Sequence, residues 1–179
     1  MKNESNDKSP KGEMIPQGEH ATIIFKRVLN HAPESVWEAL TDPEALKSWF
    51  MASSAKFEGR VGGAYEMTAG PAQIKSTGKI LAWQPPHLLE YEWKTVPRTE
   101  IPKGEDCVVR WELVAQGEAT LLTLTFKNIT KQTAYGFTPG LHTFLDRLGA
   151  QMNHTELPEW NARFGELLQA YPWSSDWKK

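Results

Sequence analysis

The sequence predicts an α+β fold, a curved antiparallel sheet of about six to seven strands wrapped on a long C-terminal helix, with two short helices after the first strand. Three observations carry this. A β-branched run occupies His20–Leu29, strictly alternating runs fill 56–128, and an apolar stripe at helical spacing follows at Leu141, Phe144, Leu145, Leu148 and Met152.

Each element follows from local pattern. Residues 1–19 mix Lys, Glu, Asn, Ser, Pro and Gly without a period and read as a disordered tail. After the His20–Leu29 strand, Pro33 opens a short helix whose Val36, Trp37 and Leu40 share a face. Asp42-Pro43 restarts the helix, with Leu46, Trp49 and Phe50 at i, i+3 and i+4. Phe57, a Gly62-Gly63 turn and Ala64–Thr68 read as a hairpin, and a longer strand runs from Ile74 to Trp83 before Pro85-Pro86.

The next three strands alternate. Leu89, Tyr91 and Trp93 oppose Glu90, Glu92 and Lys94; Cys107, Val109, Trp111 and Leu113 oppose Arg110 and Glu112; Leu122, Leu124 and Phe126 oppose Thr123, Thr125 and Lys127. Such alternation needs water on one face only. Thr138-Pro139 then reads as the N-cap and first residue of the long helix, which breaks at Asn153. A second helix from Pro158, with Trp160, Phe164, Leu167, Leu168 and Tyr171 on one face, belongs to an extension over 153–179 that packs on a domain spanning 20–152.

Composition narrows the function classes. Twenty Lys and Arg against 22 Asp and Glu give a net charge of −2, which argues against a nucleic-acid binder. A single cysteine, Cys107, excludes an internal disulfide or a multi-cysteine metal site. The polar N-terminus has no secretory core, and no apolar run approaches the roughly 18 residues of a membrane span, so a cytoplasmic location and no membrane partner are expected. Eight tryptophans are the compositional excess, and large indoles require a wide core or an aromatic-walled pocket.

Motifs for catalysis are scarce. No GxSxG, HExxH or phosphate-binding glycine loop occurs. Cys107 starts a strand without an activating histidine and reads as a small core residue, while Glu90 and Glu92 belong to the wet face. His142 and Asp146 stand at i, i+4 beside the helical stripe and read as a surface ion pair; no third metal ligand accompanies them. No metal and no cofactor are therefore expected.

Three motifs in order resemble a known family. Val36–Phe50, Val61–Tyr65 and Gly78–Leu89 resemble the opening helices, glycine hairpin and double-proline strand pair of the START-like, helix-grip (SRPBCC) superfamily. The branch they most resemble is named for the activator of the heat-shock-protein-90 ATPase. His31-Ala32 stands where that family has Ala-Pro, with Pro33 one residue later. The resemblance implies a cavity between sheet and C-terminal helix, in a fold whose members range from hydrophobic-ligand binders to polyketide cyclases and chaperone activators, so fold alone does not settle function.

The expected ligand-binding wall is Trp49, Tyr65, Met67, Tyr91, Trp93, Trp111, Phe126, Leu141, Phe144, Leu145, Leu148 and Met152, each of which is otherwise a plain core residue. The leading expectation is a protein that binds a small hydrophobic molecule between the sheet and Leu141–Met152. A chaperone-interaction module acting in stress response and a small cyclase or hydrolase of an aromatic metabolite are the alternatives, the last using Tyr65, Tyr91 or His142. Monomer and homodimer both remain open, the second through an exposed helix around Trp160.

Overall fold

The protein is described by a computed structural model that covers residues 9–171 and 173. Residues 1–8 of the expected tail, Trp177 and the far end of the expected extension lie outside these residues. The elements are β1 (Glu13–Gln17), β2 (His20–Leu29), α1 (Pro33–Thr41), α2 (Pro43–Trp49), β3 (Ser54–Phe57), β4 (Ala64–Ala69), β5 (Ile74–Gln84), β6 (Leu88–Thr95), β7 (Glu105–Gln116), β8 (Ala119–Thr130), α3 (Lys131–Met152) and α4 (Trp160–Ala170). The strands form one antiparallel sheet in the order β1-β2-β8-β7-β6-β5-β4-β3, and α3 lies across it.

The alternation read from the sequence sets the two faces. All ten apolar residues assigned inward on β6, β7 and β8 are at most 9% exposed. On the opposite face Glu90 accepts from Arg110 at 3.1 Å and lies 3.7 Å from Lys127, so the charged row satisfies itself at the water boundary. Curvature has local causes. The register slips between Ile80 and Ala82, and a Cβ on Gly78 would meet the Glu92 carbonyl oxygen at 2.3 Å. Only glycine lets β5 approach β6 so closely.

Two expectations are corrected here. The disordered tail does not extend to residue 19, because Glu13–Gln17 pairs with His20–Ile24 as an eighth strand. Its apolar content is thin, and what holds it is the sheet edge itself, whose unpaired β2 amides and carbonyls it satisfies. Gly12 precedes it and rests on Phe25, leaving no room for a side chain.

Second, α3 does not begin at Thr138-Pro139. It starts at Lys131, with Thr130 as N-cap accepting from the Thr133 amide, and Pro139 lies inside the helix. An interior proline forfeits one backbone hydrogen bond and costs about 3 kcal/mol in isolation. Packing against the sheet overrides that cost, since eight other α3 residues, on both sides of Pro139, are buried. The Thr138 hydroxyl donates to the Ala134 carbonyl and that of Thr143 to the Pro139 carbonyl.

The helix pair after β2 is as expected. Asp42 ends α1 and caps α2, accepting from the Glu44 amide at 3.1 Å, and the buried Trp49 indole donates to the Ala39 carbonyl at 2.9 Å. Helix α4 is capped by Glu159, which accepts from the amides of Asn161 and Ala162. Among the described residues no helix is long and apolar enough to cross a membrane.

Arg147 on α3 joins three elements, donating to the carbonyls of Ser48 and Trp49 at the end of α2 and of Pro158 before α4. Replacing it, Arg147→Met, is expected to lower unfolding free energy by about 1–3 kcal/mol, because charged hydrogen bonds are lost and carbonyls are left unpaired. Urea denaturation of the variant measures this, and an unchanged midpoint would contradict it.

Candidate functional site

The sheet and the first half of α3 enclose a cavity of about 380 Å³, near the lower end of the roughly 300–1,000 Å³ of small-molecule pockets. Its wall on the sheet is Tyr65 and Met67 from β4, Ser76 from β5, Trp93 from β6 and Phe126 from β8. Its other wall is Thr133, Gly136, Phe137, Gly140, Leu141 and Phe144, whose spacing places them on one face of α3. Gly136 and Gly140, one turn apart, add no side chain to this wall, and a Cβ on Gly140 would lie 3.8 Å from the Trp160 ring of α4.

Aromatic contacts fix the walls. The rings of Trp93 and Phe137 meet edge to face at 5.7 Å, and Trp93 meets Phe126 the same way at 5.8 Å. Phe144 lies between Phe50 and Trp160, with centroids at 4.5 and 4.4 Å. Trp160 is thus half-buried against the domain rather than fully exposed. Rigid rings held edge to face resist collapse into the space they surround.

Polar groups in the cavity are few. The Tyr65 and Ser76 hydroxyls are bonded to each other at 2.7 Å, both buried. Tyr65 stacks on Tyr91 with centroids 4.1 Å apart, and the Trp111 indole donates to the Tyr91 hydroxyl at 3.2 Å. Burial pushes both phenols well above the ordinary tyrosine range, so they remain neutral hydrogen-bonding groups. Among the described residues no Lys, Arg or His lines the cavity.

The mouth is formed by the β4–β5 loop (Gly70, Pro71, Ala72), the β6–β7 loop (Glu100, Pro102) and α4 (Trp160, Asn161, Phe164). Arg98 ties the two loops together. Its guanidinium donates to the carbonyls of Ala72 and Gln73 and to the Glu100 carboxylate at 2.6 Å. That last bond holds the Glu100 carboxyl below the usual carboxylate range.

Of the twelve residues expected to form a ligand wall, Tyr65, Met67, Trp93, Phe126, Leu141 and Phe144 line the cavity. Trp49, Tyr91, Trp111, Leu145 and Leu148 are buried in the core beside it, and Met152 is partly buried against that core. The cavity therefore sits over residues 133–144 of α3 rather than along Leu141–Met152. A signal for the missed half exists, since Phe137 continues the stripe one turn before Leu141; taking Pro139 as the helix start hides it. The contributions of Ala72 and Pro102 come from loops and have no periodic signature, while Trp160 stands on the apolar face read for the second helix but is brought to the cavity only by tertiary packing.

His142 and Asp146 are not a surface pair. His142 is 1% exposed, with Nε2 at 2.7 Å from the Ser9 hydroxyl and Nδ1 at 2.8 Å from the Tyr171 hydroxyl, which also accepts from the Gly12 amide. Asp146 lies 3.6 Å from His142 and accepts from Arg163 at 2.8 Å. The segments before β1 and after α4 cross over this side of α3 and bury it, so the pair joins the termini to the domain. Cys107 is a buried free thiol whose pKa burial raises strongly, as fits a core residue. Among the described residues no cluster of His, Cys, Asp or Glu could hold a metal ion.

Comparison with known proteins bears on this geometry. The family described as "Activator of Hsp90 ATPase homolog 1-like protein" matches residues 30–153. No curated protein matches the sequence. The crystal structure of CalU16 from Micromonospora echinospora superposes with a TM-score of 0.66 at 26% identity, over 90% of this chain and 92% of that one. A protein from Mesorhizobium loti, MLL2253, gives 0.64 at 24% identity over 76% and 99%. The BPP1335 product of Bordetella parapertussis gives 0.67 at 21% over 96% and 91%. These last two likenesses are of fold alone.

Cutting the Arg98 clasp should loosen the mouth without disturbing the core. Arg98→Ala is expected to speed amide hydrogen exchange of residues 70–73 and 98–104 by about tenfold while β6–β8 stay protected. Unchanged exchange in both loops would show that Arg98 does not hold them.

Proposed function

The chain belongs to the family of activator of Hsp90 ATPase homolog 1-like proteins, and from that starting point we propose that it binds a small hydrophobic molecule in the cavity between the sheet and the first half of α3. The observation that carries this reading is the space itself. About 380 Å³ is bounded by aromatic rings on both walls and opens between two clasped loops. Filling it with protein side chains would stabilise the core, so unfilled apolar volume is costly unless a ligand uses it.

Turnover is not part of this reading. The buried polar pair on the sheet wall, Tyr65 and Ser76, consists of neutral hydroxyls, and acid–base work requires a group that titrates near the operating pH.

Titration with N-phenylnaphthylamine, an uncharged fluorophore, is expected to give a saturable emission increase with micromolar affinity. Ala69→Trp projects an indole from the cavity wall and should weaken that affinity at least about tenfold with little change in melting temperature. Absence of saturable binding, or binding unaffected by Ala69→Trp in a folded variant, would refute the proposal.

The family description favours a second reading, contact with a chaperone ATPase through the outer surface. It requires that the purified chain accelerate ATP hydrolysis by an Hsp90-type chaperone, and an unchanged rate at saturating protein would exclude it.

A further inference from the structure

On the reading that the cavity takes a ligand, that ligand must pass the mouth, and the mouth has one fixed side and one side able to swing. The β4–β5 and β6–β7 loops are the fixed side. Arg98 donates to the carbonyls of Ala72 and Gln73, and the Gln73 side-chain amide donates to those of Met51 and Gly70. Ile101 anchors the second loop in the core at 1% exposure. Loops tied to each other, to the segment after α2 and to the core have little freedom to part.

Helix α4 is held differently. Its buried residue is Leu167, and just beyond it the buried Tyr171 hydroxyl meets His142 and the Gly12 amide. Both anchors stand at the C-terminal end. The residues that reach the cavity, Trp160, Asn161 and Phe164, stand at the other end, where no residue from 159 to 166 is buried. The chain leading into that end is exposed over 153–156, and His154 there has a left-handed backbone with φ of 55°. Arg147 holds the Pro158 carbonyl before the helix, and Arg163, midway along it, donates to Asp146 of α3 at 2.8 Å. The cavity-facing end rests on the opposite wall through Trp160 against Phe144. Anchorage at one end and surface contacts at the other make a lever.

We infer that α4 is the gate of the cavity. Its first turns swing away from Phe144 about the Leu167–Tyr171 end to admit and release the ligand, and the Arg163–Asp146 ion pair is the latch that sets how often it opens. The helix lies beyond residues 30–153, which carry the family match, so the gate belongs to this chain's own extension.

Stopped-flow mixing with N-phenylnaphthylamine tests this by measuring entry and exit separately. Arg163→Gln cuts the latch in the free and the occupied protein alike, so both rate constants should rise at least about threefold while Kd stays within about twofold. Arg98→Ala loosens the fixed side and should move either rate less than about twofold. A melting curve checks that each variant is folded. The unmodified chain supplies a second measurement, since saturation with the fluorophore should slow amide exchange of residues 163–166 at least about threefold. Unchanged rates in folded Arg163→Gln, rates that respond to Arg98→Ala instead, or exchange over 163–166 indifferent to the fluorophore would overturn the gate while leaving the cavity as a binding site. Failure of the fluorophore to bind the unmodified chain would overturn the cavity reading itself, and the gate with it.

Discussion

Everything in this molecule depends on one contact, the grip of a curved sheet on a single helix. The sheet turns a row of large apolar residues toward α3, and one helix must shield them from water. Along its second half α3 meets that demand with Leu145 and Leu148, both buried. Each such side chain contributes roughly 1.5–3 kcal/mol on burial. Along its first half the face holds Thr133, Gly136, Phe137, Gly140 and Leu141, and there a cavity remains between helix and sheet. Tight packing at one end and open space at the other thus lie along the same helix.

Helix α4 and the termini complete the shielding. Trp160 packs on Phe144 at the cavity mouth. On the far side, Ser9, Gly12 and Tyr171 converge on His142, and Arg163 binds Asp146. Polar groups this deeply buried are tolerable only when bonded. The network therefore couples the order of both end segments to the position of α3, and through α3 to the cavity. Shape and an apolar lining carry the function proposed for the cavity.

The fold is readable from sequence wherever period and face coincide. On β6–β8 each residue's side of the sheet follows from strict alternation, and the Asp42-Pro43 restart between α1 and α2 follows from capping chemistry. Local pattern misleads where packing outweighs it. Pro139 is a strong helix starter in isolation, yet α3 runs through it because burial on both sides outweighs one lost hydrogen bond. Residues 13–17 have no convincing strand pattern, yet they pair because an open sheet edge recruits them. His142 reads as peripheral in the sequence because the chain that covers it comes from residues far away along it.

Residue order alone dictates the class of fold, the succession of its elements from β2 to α3 and which face of each strand is apolar, because these depend on spacing within a few residues. It also excludes an internal disulfide, through a lone cysteine. Packing in three dimensions selects which six of the twelve apolar candidates line a cavity and which fill the core. It alone pairs Tyr65 with Ser76 and clasps the mouth with Arg98. The reason is physical: local periodicity says that a side chain points inward, but whether it meets another atom or empty space depends on the facing element, here on the first half of α3.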